Sequence, residues 1–544
     1  MFGAGGGTSS YRDAQETDLV VLWGSNAREA HPIYFHHVIK GVRRGARLWC
    51  VDPRRTSSAA WADGWLGLNV GSDIALANAV GREIIHAGLV HREFVARATQ
   101  RFDDYAASVE PYTLACAEEI TGVPAEAIRE LAHAYAGAPR AQLCWTLGIT
   151  EHHNAVDNVL ALINLALLTG HVGRPGSGLT PLRGQNNVQG GGDMGAVPDR
   201  FPGFQPLVDP AVRARFEAAW GVALPAVPGQ HLSLMFEAME HGDLRALYVI
   251  GENPADSEAD GLRARRLLDG LDVLVVQDIF LTRTAEMADV VLPAAAGWAE
   301  TEGTVTSSER RVQRVRRAVA PPGEARDDLA ILVELAGRLG VDWGVVDARS
   351  AWDEMRALSP MHGGMSYARL EAARGLQWPC PTDDHPGTTV LHERLWADPL
   401  EGPRAPFVPV AWVPPFDPLD DEFPLRLTTG RTLDSFNTGV QSAGYEPPIR
   451  RGRDLDLSAV DAARLGVTVG ERVRVTSRRG SIEMTVAVRT ELPSGLAFTT
   501  FHFADDADVN VLTVDAWDPK SGTSEFKATA IRVDRLAALG ETAR

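Results

Sequence analysis

Short apolar runs alternate with amphipathic stretches through the first 385 residues of the chain. Residues 18–26 (DLVVLWGSN) and 46–55 (ARLWCVDPRR) each predict a buried strand that ends in a polar loop. The amphipathic segment between them, residues 31–45, predicts a helix that ends at a glycine. A strand, a helix and a second strand in this order predict a βαβ unit and therefore a parallel sheet.

The same pattern of two strands with polar ends returns between residues 246 and 280. Gly24 precedes Asp52 by 28 positions, and Gly251 precedes Asp278 by 27 positions. We therefore predict two copies of one nucleotide-binding arrangement, since open parallel sheets bind ligands beyond the carboxyl ends of their strands. The alternative is two α/β layers with ordinary turns, because a strand followed by a polar loop is common in such folds.

The pattern changes after about residue 383, where proline, aspartate and tryptophan become frequent and then alternating β-rich segments follow. We predict an α/β fold with two Rossmann-like parallel-sheet domains related as pseudo-repeats, followed by a C-terminal β-barrel-like domain. The expected regions are a first nucleotide domain (1–185), a second and incomplete nucleotide domain (186–385), a linker (386–420) and the barrel (421–544).

Composition narrows the classes of protein. A formal net charge of −18 argues against nucleic-acid binding. No apolar run reaches the length needed to span a membrane. The cysteines are too far apart for a cysteine-held metal, and their small number predicts a reducing, cytoplasmic location. They are Cys50, Cys116, Cys144 and Cys380.

Residues 181–195 (PLRGQNNVQGGGDMG) are rich in amide and guanidinium groups and poor in acid–base groups. Arg183 offers a planar fork of donors that suits a carboxylate or a phosphate. Gln185, Asn186 and Asn187 add neutral donors and acceptors. Such a loop recognises and orients a ligand, so a cofactor must supply the chemistry. The alternative is a polar surface loop.

Three carboxylates and one basic stretch are candidates for ligand binding, and ordinary structural roles are the alternative. Asp52 and Asp278 could bind ribose hydroxyls at the ends of their strands. Asp73 is expected to cap a helix, which is commoner than accepting hydrogen bonds from a guanine edge. The basic stretch 301–319 is expected to form a solvated face.

The histidines are weak evidence for a site. His502 is expected to be a packing residue, and His152 and His153 are expected to point apart because they are adjacent. The sequence also lacks the HExxH, GxSxG and GxxxxGK[ST] signatures, and no GxGxxG follows a predicted strand. Metalloprotease, hydrolase, P-loop and ordinary NAD-binding functions are therefore disfavoured.

Eight stretches form a specific pattern when they are taken in order: GSNAREAHP, VDPRRT, GSDIALANA, LTGHVGRPGSGLTPLRGQNNVQGGGDMGAVPD, YVIGENPADSEAD, VVQDIFLTRTAEMADVVLPAAAGWAETEGTVTSSERRVQ, LTTGR and HFADDADVNVLTVDAWDP with EFKATAIRV. Together they resemble the large subunit of molybdenum- or tungsten-dependent formate dehydrogenases. These enzymes are molybdopterin oxidoreductases that bind two molybdopterin guanine dinucleotides.

The resemblance implies a role for each matching residue. Arg183 would lie beside the metal and position formate, with Gln185 and Asn186 in the same pocket. The first dinucleotide would be held by Gly24, Asn26, Asp52, Arg54 and Asp73. The second would be held by Gly251, Glu252, Asn253, Gln277 and Asp278. The loop of Gly148, Thr150 and Glu151 would approach a pterin. The residues that would close over the cofactors are Arg431, Thr432, Asn437, Asn510 and Lys527.

The implied reaction is oxidation of formate to carbon dioxide at a bis-molybdopterin guanine dinucleotide centre that contains molybdenum or tungsten. Family members begin with a 4Fe–4S domain, and the cysteine or selenocysteine that binds the metal follows it. Both are expected upstream of Met1, so we predict a truncated chain that is inactive alone and that needs this segment or an electron-transfer subunit. The alternatives are a nitrate reductase, another molybdopterin oxidoreductase, or a non-catalytic pterin-binding subunit.

Overall fold

The computed structural model describes residues 1–3, 5–433, 435, 437–438 and 452–536 of the 544-residue chain. Within these residues, the first region is built on a five-stranded parallel sheet. From edge to edge its strands are Gly64–Leu66, Arg47–Val51, Leu19–Trp23, Ala141–Trp145 and Gly178–Pro181. The predicted βαβ unit is confirmed.

Helices cover both faces of this sheet. Along the central strand, Leu19, Val21 and Trp23 pack into one hydrophobic cluster, while Val20 and Leu22 pack into another on the opposite face. Burial on both faces explains why the strand is a continuous apolar run. The helices are Ala27–Ala30, Pro32–Val42, Asp73–His86, Arg92–Ala98, Phe102–Val109, Leu114–Thr121, Ala125–Gly137, Leu147–Thr150 and Ala155–Thr169, with 3₁₀ turns at Tyr11–Gln15 and Ala59–Trp61.

The second region contains a three-stranded parallel sheet and a three-stranded antiparallel sheet. The parallel strands are Val290–Pro293, Val273–Asp278 and Ala246–Ile250, and the antiparallel strands are Gly303–Thr306, Arg311–Val315 and Leu376–Gln377. A short hairpin pairs Arg200–Phe201 with Gln205–Pro206. The helices are Val188–Asp193, Pro210–Trp220, Leu232–Glu240, Pro254–Ser257, Gly261–Asp269, Arg283–Glu286, Asp328–Arg338, Ala348–Leu358 and Tyr367–Ala372.

The two parallel sheets repeat the same backbone geometry at the end of their strands. The Gly24 N–H donates to the Val51 carbonyl oxygen at 2.8 Å, and the Gly251 N–H donates to the Gln277 carbonyl oxygen at 2.8 Å. Both glycines have positive φ, +58° and +64°, which favours glycine at these turns. The equivalent bonds confirm the predicted pseudo-repeat.

The carboxylates that follow the second strand of each copy also match. Asp52 Oδ1 accepts a hydrogen bond from the Arg54 N–H at 3.0 Å. Asp278 Oδ1 accepts one from the Phe280 N–H at 3.1 Å. Both carboxylates therefore form the same tight turn with the residue two positions later.

Within the described residues, the second parallel sheet is not fully covered by helices, and some of its apolar side chains are exposed. Ile250, Val273 and Val290 are 44%, 44% and 46% exposed, although parallel sheets are usually buried on both faces. The helices Leu232–Glu240 and Gly261–Asp269 contribute a hydrophobic cluster packed beside the sheet.

The stretch 301–319 forms only part of the solvated face that its charge predicts: Arg316 and Arg317 are exposed, but other arginines are not. Arg310 is fully buried, and its Nε and Nη2 donate to the carbonyl oxygens of Gly7 and Thr389 at 2.6 and 3.0 Å. Arg314 stacks over the Tyr367 ring at 3.2 Å. The prediction is wrong at these arginines because backbone carbonyls and a ring face receive their guanidinium groups.

The linker packs against the first region. Ala405–Pro406 pairs with Thr99–Gln100, and the buried Phe407 stacks on Tyr105 with ring centroids 5.1 Å apart. A 3₁₀ turn lies at Glu393–Trp396.

The C-terminal region is a closed barrel of six strands within the described residues, as predicted. In spatial order these are Leu425–Gly430, Leu496–Thr500, Leu455–Ser458, Ser481–Arg489, Arg472–Thr476 and Thr529–Arg535. The helix Ala459–Leu465 and the 3₁₀ turn Val509–Val511 complete it.

None of the helices in the described part of the chain is long and apolar enough to cross a membrane. The same part holds no cluster of three or more His, Cys, Asp or Glu side chains suited to a metal ion. All four cysteines lie in the described residues and are free thiols.

Candidate functional site

A cavity of about 250 Å³ lies where the carboxyl ends of the first sheet face the barrel. Many of the residues singled out from the sequence line it: Gly24, Asn26, Asp52, Arg54, Asp73, Gly148, Glu151, Gln185, Arg431, Asn437, Asn510 and Lys527. They come from the first sheet, the loop at 185, the barrel and the turn at 510. The fold therefore brings together side chains that are more than 450 positions apart in sequence.

The backbone at Gly24 passes very close to the backbone at Gly148, and both glycines line the cavity. A Cβ atom on Gly148 would lie 2.6 Å from the Gly24 carbonyl oxygen, and one on Gly24 would lie 2.9 Å from the Gly148 carbonyl carbon. The Thr146 hydroxyl donates to the same Gly24 carbonyl at 2.8 Å. This close approach requires glycine at both positions and leaves backbone exposed to a ligand.

The buried carboxylate of Asp73 and the partly buried carboxylate of Asp52 lie behind these loops. Burial raises the pKa of Asp52, against the opposing effect of Arg54, and burial also raises the pKa of Asp73. Asp73 Oδ1 accepts a hydrogen bond from Trp23 Nε1 at 2.9 Å. The expected capping role is wrong, because Ser72 occupies the N-cap position and Asp73 is the first residue of the helix.

Basic groups face the same space. The Arg54 guanidinium lies 3.6 Å from the centroid of the Phe498 ring in the barrel. Lys527 Nζ pairs with Glu151 Oε2 at 2.7 Å and donates to the Thr429 carbonyl oxygen at 3.1 Å. Arg54 is therefore held by a contact between the first region and the barrel. Lys527 is held by one contact of that kind and by a second contact within the barrel.

His152 and His153 converge on one carboxylate, contrary to the expectation that they point apart. Their Nδ1 atoms lie 3.2 and 3.3 Å from Glu525 Oε2. The adjacent residues can do so because they belong to a turn, where the alternation of a strand or helix does not apply. His152 Nε2 lies 3.2 Å from the Gly148 carbonyl oxygen.

No pattern in the sequence identifies Glu525 as the partner of both histidines. Burial opposes the charge on His152, but the Glu525 carboxylate and Asp73 raise its pKa above the ordinary value. Burial likewise opposes the charge on Glu525, but His152 and His153 lower its pKa well below the ordinary value. The pair is therefore a buried ion pair between the first region and the barrel.

His31 is a cavity residue that the sequence analysis missed. Its Nε2 lies 2.6 Å from the Arg183 carbonyl oxygen, so Nε2 carries the proton and donates. Its Nδ1 is buried and has no hydrogen-bond partner in the described structure. The only local signal was Pro32, which marks a helix start at His31.

His502 also lines the cavity, and it is buried, with 1% of its surface exposed, as expected of a packing residue. Its Nε2 accepts from the Thr432 N–H at 3.1 Å, and its Nδ1 donates to the Asn437 carbonyl oxygen at 2.9 Å. Burial lowers the pKa of His502 to about 4, so the ring is neutral. Thr432 itself is not among the lining residues.

Arg183 lies at the edge of this site. Its Nε donates to Gln189 Oε1 and its Nη2 donates to the Gly5 carbonyl oxygen, both at 3.1 Å. The next residue, Gly184, lines the cavity together with Gln185, whereas Asn186 is exposed and outside it. Thr150 ends a short helix beside the cavity without lining it.

The second predicted group gathers at the carboxyl end of the second parallel sheet, outside the cavity. Asn253 Oδ1 accepts from the Thr284 hydroxyl at 2.7 Å, and Glu252 Oε1 accepts from the Ser257 hydroxyl at 2.7 Å. Gln277 hydrogen-bonds Tyr248 and Asp328. The members of this group are Gly251, Glu252, Asn253, Gln277 and Asp278.

Two repeated parallel sheets, with a polar cavity at the carboxyl end of the first, are typical of a nucleotide-binding α/β protein. The family model described as Molybdopterin oxidoreductase matches residues 4–338, and the model described as Molydopterin dinucleotide binding domain matches residues 425–530. The chain belongs to the molybdopterin oxidoreductase family. The protein is therefore an oxidoreductase, membership supports a molybdopterin cofactor, and the family prediction is confirmed.

Curated relatives agree with this assignment. The chain is 40% identical over 542 residues to the F420-dependent formate dehydrogenase 2 subunit alpha of Methanococcus maripaludis, covering 98% of this chain and 79% of that protein. It is 37% identical over 546 residues to formate dehydrogenase H of Escherichia coli, covering 98% and 75%. The acetylene hydratase structure from Pelobacter acetylenicus shares the fold, with a TM-score of 0.73, 21% identity and coverage of 98% and 80%.

Proposed function

We propose that the chain is the cofactor-binding body of a formate dehydrogenase large subunit that oxidises formate to carbon dioxide. The observation that carries the proposal is the position of Arg183. Its carbonyl oxygen is bonded to His31 in the cavity wall, and Gly184 and Gln185 continue directly into the lining. A guanidinium at this edge can bind a small carboxylate bidentately.

The residues around the cavity fit a molybdopterin guanine dinucleotide. The unpartnered His31 Nδ1 offers an acceptor, and the carboxylates of Asp52 and Asp73 suit the N–H groups of a guanine or the hydroxyls of a ribose. Arg54 and Lys527 suit a diphosphate. The first dinucleotide is assigned to Gly24, Asn26, Asp52, Arg54 and Asp73, with Gly148, Thr150, Glu151, Arg431, Thr432, Asn437, Asn510 and Lys527 around the cofactors.

A second dinucleotide is assigned to the equivalent turn of the second sheet. The support is the repeated geometry at Gly24 and Gly251, whose N–H groups make matching hydrogen bonds. We therefore expect two GMP per chain on acid hydrolysis of the loaded protein. Recovery of one GMP per chain, with the metal fully loaded, would refute the second site.

The residues of this chain have definite tasks in the proposed reaction. When bound, the molybdopterin centre supplies the acceptor for the two electrons that leave formate. Arg183 binds the formate carboxylate and fixes which way its C–H bond points, while Gln185 supplies a further polar contact. Asn186, which is exposed outside the cavity, would need the loop to move before it could contribute one. The walls of the cavity restrict water, which strengthens each of these polar contacts.

The metal is expected to be molybdenum or tungsten. We place the 4Fe–4S cluster and the onward electron path outside these residues, in another segment or an electron-transfer subunit, because the four cysteines here are far apart. The regions 1–185, 186–385, 386–420 and 421–544 stay our proposed division of the chain, and a cytoplasmic location stays a prediction.

Substitution of Arg183 with lysine tests the proposal in the holoenzyme that contains this chain. An ammonium keeps the charge but cannot bind a carboxylate with two parallel bonds. We expect kcat/KM for formate to fall roughly ten- to a hundredfold, the equivalent of about 1.5–3 kcal/mol. Arg82→Lys, on a surface ion pair with Glu110, is the matched control and should keep its kinetics. Unchanged formate kinetics in Arg183→Lys would count decisively against the role.

A further inference from the structure

We propose that Gln189 and Asp193 are positioning residues that hold the Arg183 guanidinium in its substrate-binding orientation. The inference rests on the proposed role of Arg183. Both residues lie on the short helix Val188–Asp193, four positions apart, so they share one face of it. Both are buried, with 4% and 1% of their surface exposed.

The hydrogen bonds form one chain from the guanidinium to the protein interior. Arg183 Nε donates to Gln189 Oε1 at 3.1 Å, and Gln189 Nε2 donates to Asp193 Oδ1 at 2.9 Å. Trp378 Nε1 donates to the other carboxylate oxygen, Oδ2, at 2.7 Å. The second N–H of the Gln189 amide is used as well, since Nε2 also lies 3.1 Å from the Gly5 carbonyl oxygen.

The charge on Asp193 helps to fix which way the Gln189 amide faces, together with the Gly5 carbonyl oxygen that accepts its second N–H. A carboxylate only accepts hydrogen bonds, so the NH₂ group of Gln189 must point at Asp193 and its oxygen must point at Arg183. A protonated Asp193 can donate instead, which allows the amide to turn its NH₂ group toward the guanidinium. Two donors would then face each other, and Arg183 would lose its support.

The surroundings make this carboxylate sensitive to pH. Burial raises the pKa of Asp193 to about 6, against the opposing effects of Gln189, Trp378, Arg183 and Arg310. Arg183 precedes the helix and Arg310 belongs to the antiparallel hairpin, and these are the charged groups that face Asp193 in the described structure. Both guanidinium groups stay charged between pH 5 and 8. Asp193 is therefore the group of this network that changes its charge in that range.

The test uses the holoenzyme that contains this chain, with formate KM and kcat measured from pH 5 to 8. We expect the wild-type KM to rise roughly tenfold as the pH falls through about 6, with a smaller change in kcat. In Asp193→Asn, which can accept only one of the two hydrogen bonds, the KM should be about tenfold higher at pH 8 and flat with pH. Gln189→Met, which keeps the shape, should also raise the KM by about tenfold.

Asp461→Asn is the matched control, because Asp461 is a fully buried carboxylate in the barrel. It should lower stability and leave the profile of KM against pH unchanged. A wild-type profile in Asp193→Asn, or a wild-type KM in Gln189→Met, would overturn the inference while formate oxidation itself stood.

The indole N–H of Trp378 gives a readout that does not depend on formate. In protein labelled with ¹⁵N-tryptophan, its resonance should titrate near pH 6 and lose this titration in Asp193→Asn. If the wild type does not oxidise formate but the resonance titrates in this way, the proposed function fails and the network stands. A resonance that does not titrate would overturn the network.

Discussion

Replacement of Glu525 by glutamine should weaken the contact between the barrel and the loop that holds His152 and His153, and so destabilise the fold. Glu525 and His152 have 0% and 3% of their side-chain surface exposed. Glu525 Oε2 also accepts from the His153 N–H at 3.1 Å, and its Oε1 accepts from the Lys527 N–H at 2.9 Å. Removing one partner of a buried ion pair costs about 3–5 kcal/mol. We expect a loss of this size in the free energy of unfolding at pH 6.

The loss should shrink as the pH rises. His152 has a raised pKa, so its stabilising effect is complete below about pH 6.5 and is lost as the pH rises through its higher folded value. Glu525 has a lowered pKa, so its effect is present above about pH 4.3 and is lost only as the pH falls through its low folded value. Asp73 and Lys527 are the other charged groups that face His152.

Urea denaturation of the wild type and the variant, followed by circular dichroism from pH 5.5 to 8.5, measures this difference. The control is Glu483→Gln, whose carboxylate pairs with Arg472 and Arg474 at 3.1 and 3.4 Å on the barrel surface. An exposed pair contributes about 0.2–1 kcal/mol. A Glu525→Gln variant that matches this control at pH 6, or that loses more stability at pH 8.5, would refute the reasoning.

Three further substitutions test the cavity. Gly148→Ala places a methyl group 2.6 Å from the Gly24 carbonyl oxygen, and this overpacking should cost about 1–3 kcal/mol and lower the thermal midpoint and the GMP content. Arg54→Lys loses the planar contact with Phe498 at 3.6 Å, and guanine nucleotide should be retained about two- to tenfold less well after gel filtration. Lys527→Met leaves the Glu151 carboxylate without its cation, and calorimetry should show a loss of roughly 3 kcal/mol. A wild-type GMP content in both cofactor variants, or wild-type stability in Lys527→Met, would count against the site.

Local patterns predicted the parts of the site that depend on neighbouring residues. Gly24 and Asp52 follow apolar runs, and a strand end in a parallel sheet places such residues at one edge. The repeat of the same spacing at Gly251 and Asp278 predicted a second turn, and the structure shows the same hydrogen bonds there. Each of these features depends on residues within about 30 positions of one another. Such features can therefore be predicted from a single sequence.

Other parts of the site depend on contacts between distant segments. Glu525 meets His152 across 373 positions, and Arg310 meets the carbonyl oxygen of Gly7 across 303 positions. No local period or motif specifies such a pair. His31 was missed for a related reason, because its position in the cavity wall depends on the Arg183 loop.

Formate oxidation by the purified holoenzyme that contains this chain is the most direct test of the central claim. A viologen dye serves as the electron acceptor, and the same preparation is assayed for nitrate reduction with the reduced dye as donor. We predict dye reduction that depends on formate and that falls roughly ten- to a hundredfold in Arg183→Lys, with no oxidation of the dye by nitrate. A holoenzyme with full molybdopterin content that reduces nitrate and is inert toward formate would contradict the account.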